Sequence, residues 1–291
     1  MENVVLKKKI LILGSTGMLG HVLYRTLQAK SNFELFDISF RKKLNDSSII
    51  CDVRNVLDLE KKITKIQPSV IINCIGILLR SSKIDPSNTI FINSYLPHRL
   101  KNIADKINAR IIQVSTDCVF NGNKGFYSEI DIPDARDIYG RSKYLGELDN
   151  KRDLTIRTSI IGPELKQNGQ GLFCWFLSQK KEIYGYNNVF WGGVTTIILS
   201  KAIEKFIQND NIVGIKHLTN GKKISKYNLL KLFLDFFPKE NFKLKKINVD
   251  KSDKSLISVR KDGLILVPDY STMIKEMRDF IKIKGKDFYQ K

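Results

Sequence analysis

Short apolar runs alternate with amphipathic segments over the first 160 residues, and this order restricts the fold more than any other feature. The expected strands are Ile10–Leu13, Phe33–Ile38, Val70–Ile75, Arg110–Ser115 and Leu154–Ile161. The expected helices between them are Met18–Lys30, Val56–Ile66, Ile90–Ala104 and Tyr139–Asp149. Parallel strands need helical crossovers, and strands covered on both faces are continuously apolar. The pattern therefore predicts an α/β fold with a doubly wound parallel sheet.

A glycine-rich turn follows the first expected strand. Gly14, Gly17 and Gly20 form a GxxGxxG pattern at the start of the next helix. Such a turn reverses tightly and lets the backbone approach a pyrophosphate, whose charge is favoured at a helix N-terminus. Because a strand precedes the turn and a helix follows it, the pattern predicts a Rossmann dinucleotide-binding domain.

The choice between NAD and NADP depends on the end of the second expected strand. Asp37 lies at about the position where an acid binds the ribose 2′-hydroxyl of NAD. Arg41, Lys42 and Lys43 follow, and a cation there would accept the 2′-phosphate of NADP. We expect NADP, bound through Arg41, with NAD as the alternative. The remaining alternative is that all four side chains face solvent.

The alternation weakens after Gly162. We expect a Rossmann domain over residues 1–162 and a smaller mixed α/β lobe over 163–291, which binds the substrate and from which some elements return to the sheet. The expected elements of the lobe are helices at Leu172–Ser178, Ile197–Gln208 and Tyr227–Phe237 and a strand at Lys243–Val249.

Composition narrows the class of protein. The 49 Lys and Arg outnumber the 30 Asp and Glu, giving a formal charge of +19. No long basic tract or aromatic-basic motif accompanies this charge, so we expect steering of anionic nucleotides rather than nucleic-acid binding. The four cysteines lie far apart, and no apolar run approaches the roughly 18 residues of a membrane span. We expect a cytoplasmic protein without a metal site, since the three histidines are also scattered.

Two further motifs carry the chemistry. Tyr139 and Lys143 are four residues apart on an expected helix, so both project from one face. An ammonium beside a phenol lowers the phenol pKa, and the tyrosine can then donate a proton to a carbonyl oxygen. Ser115, Thr116 and Asp117 end the preceding strand, and doubly wound sheets bind ligands at the carboxyl ends of their strands. These residues indicate interconversion of a carbonyl and an alcohol.

The chain resembles the extended short-chain dehydrogenase/reductases, and within them the dTDP-4-dehydrorhamnose reductase branch. The motifs are GSTGMLG, DVRN at Asp52–Asn55, VIINCIG, INSYLP, STDCVFNG, YGRSKYLGE and RTSIIG. By this resemblance Thr116 would bind the substrate carbonyl, Tyr139 would be the acid, and Lys143 would bind the nicotinamide ribose. Asp117 would contact the sugar, and Arg157 is a candidate for the diphosphate, with a structural ion pair as the alternative.

The resemblance also implies a cofactor site and a reaction. The implied cofactor contacts are Gly14, Ser15, Thr16, Gly17, Met18, Leu19, Gly20, Arg41, Asp52, Val53, Asn73, Cys74, Gly76, Tyr139 and Lys143, with Asn93 as a weaker support for the lysine. The implied reaction is NADPH-dependent reduction of the 4-keto group of a nucleotide-linked 6-deoxyhexose for polysaccharide precursors. The alternatives are an epimerase or dehydratase that retains NAD, and a non-catalytic regulatory subunit like that of methionine adenosyltransferase.

Two expectations remain about specificity and assembly. Cys118 stands where the reductase branch usually has tyrosine, and the C-terminal lobe does not match that branch closely. The nucleotide and the sugar therefore stay open. Relatives of this kind often pair through helices beside the active-site helix, so we expect a homodimer.

Overall fold

The computed structural model describes residues 7–166 and 169–284. The strands are β1 (Lys8–Leu13), β2 (Phe33–Ser39), β3 (Ile49–Ile50), β4 (Val70–Asn73), β5 (Arg110–Val114), β6 (Leu154–Arg157), β7 (Ile160–Ile161), β8 (Glu182–Tyr186), β9 (Val189–Trp191), β10 (Val194–Thr195), β11 (Gly214–His217), β12 (Ile224–Ser225), β13 (Lys243–Ile247) and β14 (Ser252–Asp253). The α-helices are α1 (Gly20–Gln28), α2 (Val56–Ile66), α3 (Leu79–Ile84), α4 (Pro86–Ile90), α5 (Leu96–Lys106), α6 (Ile138–Leu145), α7 (Leu172–Ser178), α8 (Thr196–Gln208), α9 (Lys226–Phe236) and α10 (Tyr270–Lys284).

A seven-stranded sheet forms the centre of the fold, with the strand order β11-β6-β5-β4-β1-β2-β3. The pairs from β6 across to β3 are parallel. The order reverses direction at β1, which pairs with β2 on one side and β4 on the other. This arrangement confirms the predicted doubly wound α/β fold. In such a sheet the crevice at the carboxyl ends beside the reversal is the expected ligand site.

The apolar strands form this sheet because both of their faces are buried. Ile10–Leu13 of β1 and Val70–Ile72 of β4 have no exposed surface. Leu11 and Ile71 belong to a core cluster that also contains Leu59 of α2 and Leu100 of α5. Side chains buried on both sides of a sheet read in sequence as continuous apolar runs. That is why continuous apolar runs in the sequence predicted the central strands.

Three predicted elements differ clearly in the structure. The strand expected over 154–161 ends at Arg157, and Ile160–Ile161 form a separate strand paired with Val194–Thr195. The break follows from hydrogen bonds of the two intervening residues. The Thr158 hydroxyl donates to the Leu218 carbonyl at 2.8 Å, and the Ser159 carbonyl accepts from the Val194 amide at 2.8 Å.

The active-site helix is also shorter than predicted. Helix α6 ends at Leu145 rather than at Asp149. Gly146 follows, and a Cβ at this position would lie only 1.9 Å from the Asn93 carbonyl oxygen. Only glycine permits this approach of two backbone segments.

The predicted helix over 90–104 is divided into helical segments. A π-helical turn at Phe91–Tyr95 separates α4 from α5, and Pro97 lies in the first turn of α5. Proline suits a helix start because its missing N–H has no helical partner there. The π turn is the type of irregularity that often occurs at functional sites.

The contacts divide the chain into two compact units. The first comprises the described residues up to Ser115, with Asp137–Ile156 and Ser200–Ile215. The second comprises Thr116–Arg136 and the described parts of Arg157–Leu199 and Lys216–Lys291. Part of the C-terminal half thus belongs to the sheet unit. The division at residue 162 into cofactor and substrate domains stays a prediction. Over the described residues, no helix has the length and apolar character needed to cross a membrane.

Candidate active site

The glycine turn of the first unit is built from close backbone contacts. Gly14 has φ +79°, and its amide donates to the Ile38 carbonyl at 2.8 Å. The Gly17 amide donates to the Gly14 carbonyl at 2.9 Å. A Cβ on Gly20 would lie 2.2 Å from the Gly14 oxygen. The turn therefore leads from β1 into α1 with backbone at positions where side chains would clash, as a pyrophosphate cradle requires.

Ser15 and Asp37 form a buried link behind this turn. The Ser15 hydroxyl donates to Asp37 Oδ2, and the Ser48 hydroxyl donates to Asp37 Oδ1 at 3.0 Å. Asn45 Nδ2 also reaches Oδ1 at 3.5 Å. Asp37 is 2% exposed and Ser15 is fully buried. Asp37 thus stabilises the glycine turn instead of presenting a carboxylate to a ribose.

The exposed guanidinium of Arg41 follows β2. The Arg41 guanidinium lies over the Phe40 ring, with 4.9 Å from its carbon to the ring centroid, and Arg54 lies 5.4 Å from the same ring. Arg54 is engaged by Asp52 through hydrogen bonds of 2.9 and 2.6 Å, which hold the pKa of Asp52 below its usual range. Val53 is buried in the core, so only its backbone is available to a ligand.

The end of β4 supplies a second set of predicted cofactor residues. Asn73 is buried, donates to Gln113 Oε1 at 2.9 Å and accepts from the Ile75 amide at 3.1 Å. Burial raises the pKa of the Cys74 thiol to about 12. A Cβ on Gly76 would lie 3.9 Å from Lys143 Nζ. The structure thus brings Gly76 and Lys143 together, and Asn73 shapes the loop that positions them.

Asn93 connects this loop to the active-site helix. Its Oδ1 accepts from the Ile77 amide at 2.8 Å, and its Nδ2 donates to the Ile77 carbonyl at 3.0 Å and to the Ser142 hydroxyl at 3.1 Å. Asn93 lies in the π-helical turn and is 1% exposed. The predicted support of the lysine by Asn93 is therefore indirect, through Ser142 and the backbone.

Helix α6 presents Tyr139 and Lys143. The helix starts where the Asp137 carboxylate accepts from the Gly140 amide at 2.9 Å, a capping arrangement that satisfies an end amide. Lys143 is 6% exposed, and its Nζ donates to the Val114 carbonyl at the end of β5 at 2.7 Å. Burial lowers the pKa of Lys143 to about 8. Tyr139 is partly buried and lies one turn earlier on the same face.

Thr116 and Asp117 lie in the second unit, at a short 3₁₀ turn. The Thr116 hydroxyl accepts from the Cys118 amide at 3.1 Å and donates to Asp117 Oδ1 at 3.0 Å. Burial raises the pKa of Asp117, and the positive charges of Lys254 and Lys226 oppose this shift. The turn therefore holds a buried carboxylate next to two cations.

Arg157 is buried in the second unit. It is 3% exposed, and its guanidinium carbon lies 5.4 Å from the centroid of the Phe120 ring. Phe120 in turn stacks on Tyr127 at 4.2 Å. This packing places Arg157 in the interior of the second unit, and both its contact with a diphosphate and the alternative of a structural ion pair stay predictions.

The prediction from sequence did not include several side chains that surround these positions. Glu147 accepts a hydrogen bond from the Ser115 hydroxyl at 2.6 Å, and its negative charge raises the pKa of Lys143. The four-residue spacing of Lys143 and Glu147 in the sequence could have indicated this interaction. Nothing in the sequence pointed to Lys226 or Lys254, because both are remote in the chain from Asp117. In residues 7–166 and 169–284, no three His, Cys, Asp or Glu side chains are grouped so as to hold a metal ion.

The family of this chain is identified by a family model that matches most of its length. The family model of the RmlD substrate binding domain matches residues 8–256, which include most of both units and every motif described above. The chain belongs to this family. Membership confirms the resemblance to dTDP-4-dehydrorhamnose reductases drawn from the motifs.

Relatives similar in sequence to this chain differ in the function that their names give. A dTDP-4-dehydrorhamnose reductase of Aggregatibacter actinomycetemcomitans is 28% identical over 231 residues, 75% of this chain and 76% of that protein. Methionine adenosyltransferase 2 subunit beta of Rattus norvegicus is 25% identical over 247 residues, 79% of this chain and 72% of that protein. Similarity to these relatives alone therefore does not separate a reductase from a subunit of another enzyme.

A solved structure shares the fold over nearly the full length. The dTDP-4-dehydrorhamnose reductase of Bacillus anthracis, crystallised in complex with NADP, has a TM-score of 0.79 to this protein. The alignment covers 95% of this chain and 100% of that chain at 21% identity. At this identity the likeness concerns the fold.

Proposed function

We propose that this protein is an NADPH-dependent reductase of the 4-keto group of a nucleotide-linked 6-deoxyhexose, as in the precursors of surface polysaccharides. The observation that carries the proposal is Lys143, a buried ammonium next to Gly76 and one turn from Tyr139. Burial of an ammonium costs free energy, which indicates that Lys143 has a functional role. Lys143 also lies at the carboxyl end of β5, where doubly wound sheets bind ligands.

The residues of the first unit fit a nicotinamide dinucleotide. Gly14, Gly17 and Gly20 leave space that a Cβ would fill, and the turn opens onto the N-terminus of α1. Ser15, Thr16, Met18 and Leu19 would contribute through their backbone, since Ser15 and Leu19 point into the protein interior. When bound, the cofactor supplies the hydride for the carbonyl carbon.

The side chains of the protein handle the proton. Tyr139 donates its phenolic proton to the carbonyl oxygen, which becomes the alcohol. The positive charge of Lys143 stabilises the phenolate that remains, and the same ammonium holds the nicotinamide ribose. Lys143 is oriented for this by the Val114 carbonyl. General acid catalysis of this kind contributes about 10²–10⁴-fold to the rate.

Thr116 would bind the substrate carbonyl. In this structure its hydroxyl proton is directed at Asp117. The hydroxyl must therefore rotate to donate to a substrate, and Asp117 would then be released to contact the sugar. Cys118 occupies the next position with a smaller side chain than the tyrosine usual in the reductase branch, so several 4-keto nucleotide-sugars are candidate substrates.

Activity tests the proposal directly. Purified protein is mixed with NADPH and, separately, with dTDP-4-dehydrorhamnose and other 4-keto nucleotide-sugars. We expect oxidation of NADPH with one or more of them, together with formation of the matching alcohol. If none is reduced at high enzyme concentration, the protein is not a 4-keto reductase.

The state of the cofactor distinguishes the reductase from an epimerase or dehydratase. A reductase exchanges its cofactor in each turnover, whereas an epimerase or dehydratase regenerates a tightly held NAD. We expect protein denatured after purification to release little cofactor. Stoichiometric NAD in the released fraction, with turnover in the absence of added NADPH, would favour the epimerase or dehydratase.

Arg41 is proposed to select NADP. Its guanidinium is exposed beside Phe40, whereas Asp37 is already engaged by Ser15 and Ser48. Loss of a charged hydrogen bond to a phosphate costs about 1.5–3 kcal/mol, so Arg41→Ala should raise the KM for NADPH by about 10–100-fold. The KM for NADH should change little.

Lys43→Ala is the control for this prediction, because the Lys43 ammonium donates to the Asp46 carbonyl at 3.0 Å and carries the same charge nearby. We expect it to leave the KM for NADPH nearly unchanged. Equal losses for NADPH and NADH in Arg41→Ala would show that Arg41 does not read the 2′-phosphate.

A regulatory subunit is the second candidate function, and the similarity to methionine adenosyltransferase 2 subunit beta favours it. In that role the fold would bind a partner and the proton-transfer residues would be dispensable. If Tyr139→Phe left the cellular phenotype of the wild-type gene intact, the regulatory function would replace the reductase.

A further inference from the structure

Two adjacent contacts join the end of β5 to α6 and to the residues that follow this helix. Lys143 Nζ donates to the Val114 carbonyl at 2.7 Å, and the hydroxyl of the next residue, Ser115, donates to Glu147 Oε1 at 2.6 Å. Glu147 lies four residues after Lys143 and two residues beyond the end of α6, where its amide donates to the Tyr144 carbonyl at 3.0 Å. The Lys143 ammonium and the Glu147 carboxylate are thus bonded to consecutive residues at the end of β5.

The charge of Glu147 acts on Lys143. Burial lowers the pKa of Lys143 to about 8, whereas the negative charge of Glu147 raises it. The other group that acts on Lys143 is Cys74, whose own pKa of about 12 leaves it a neutral thiol near pH 8. Tyr139 shares the helix face. Glu147 is therefore the carboxylate that offsets the cost of a buried ammonium.

We propose that Glu147, oriented by Ser115, is a positioning residue that keeps Lys143 a charged ammonium at the carboxyl end of β5. Its catalytic consequence depends on the proposed reductase function, but its effect on Lys143 does not. Without the carboxylate, desolvation would act unopposed and Lys143 would lose its proton at lower pH. Tyr139 would then lack the positive charge that stabilises its phenolate.

The protonation of Lys143 can be measured without substrate or cofactor. Protein labelled with ¹³Cε-lysine is titrated by NMR, and Lys143→Arg identifies the Lys143 signal by its disappearance. In Glu147→Gln we expect the pKa of Lys143 to fall by about one unit, the lower end of the effect of a nearby opposite charge. Asp149→Asn removes the same charge from an exposed position close by in the chain and should leave that pKa nearly unchanged.

Ser115→Ala separates orientation from charge. It keeps the carboxylate but removes its hydrogen bond, so we expect a smaller fall in the pKa of Lys143 with unchanged thermal unfolding. This variant also serves if Glu147→Gln does not fold. If Glu147→Gln folds and the pKa of Lys143 is unchanged in it, the proposal is overturned and the Ser115–Glu147 hydrogen bond is only a packing contact. If Glu147→Gln does not fold, an unchanged Lys143 pKa in Ser115→Ala has the same consequence.

Activity adds a second readout. A group that must be protonated loses its function as pH rises through its pKa, so kcat of the wild type should fall above about pH 8. In Glu147→Gln this alkaline limb should move to lower pH, and kcat below the limb should be largely kept. A uniform loss of kcat without a shifted limb would contradict the positioning role. Absence of activity in the wild type would reject the reductase, while the NMR titration would still test Glu147.

Discussion

Replacing Tyr139 with phenylalanine is expected to lower kcat for NADPH-dependent reduction by about 10²–10⁴-fold, the usual contribution of a positioned general acid. The substitution removes one hydroxyl and keeps the ring, so helix α6 and its contacts should persist. The KM for NADPH should change little, because Lys143 and the glycine turn are unaltered. The measurement is steady-state kinetics with a 4-keto nucleotide-sugar identified as substrate, together with NADPH affinity by fluorescence titration.

Tyr144→Phe is the matched control, since Tyr144 lies on the same helix and 44% of its surface is exposed. It should retain the wild-type kcat. Wild-type kcat in Tyr139→Phe would remove Tyr139 from the mechanism. A similar loss in both variants would point to disturbance of α6 rather than to loss of a proton donor.

Replacing Gly20 with alanine is expected to destabilise the protein by about 1–3 kcal/mol, as overpacking of a tight site usually does. The added Cβ would lie 2.2 Å from the Gly14 oxygen and 2.8 Å from the Ser15 Cα, and neither backbone atom can move without opening the turn. The turn would no longer match a pyrophosphate, so NADPH binding should be lost. Chemical denaturation measures the first effect and fluorescence titration the second.

Gly17→Ala separates packing from ligand binding. A Cβ there would meet only the Gly14 oxygen, at 3.1 Å, so the free energy of unfolding should change less than in Gly20→Ala. Affinity for NADPH should still fall, because the methyl group would occupy space over the cradle. If Gly17→Ala binds NADPH like the wild type, the pyrophosphate does not lie at this turn. Native stability of Gly20→Ala would contradict the steric argument.

Local patterns were sufficient where a residue's role depends on its near neighbours in the chain. The strands around Ile10–Leu13 and Val70–Ile72 were predictable because burial on both faces leaves an apolar run. The glycine turn was predictable because a tight reversal excludes side chains at set spacings. Tyr139 and Lys143 could be paired because a helix places residues four apart on one face.

Other positions depended on partners far away in sequence. Asp37 has the spacing of a ribose-binding acid, yet Ser15 and Ser48 occupy its carboxylate. The strand after Leu154 was too long in the prediction because the bond from Thr158 to Leu218 has no local signal. The π-helical turn that carries Asn93 was also not predictable from local sequence, because the Asn93 side chain is hydrogen-bonded to Ile77 and Ser142.

The central strands, the glycine turn and the pairing of Tyr139 with Lys143 on one helix face are thus properties of short stretches of this chain. The surroundings that tune them are not. Lys143 is buried because β5 and α6 meet, and the carboxylate of Glu147 is held by Ser115, 32 residues earlier. Desolvation and Coulomb interactions depend on distances in space, so the pKa of the central lysine is set only when these segments pack together.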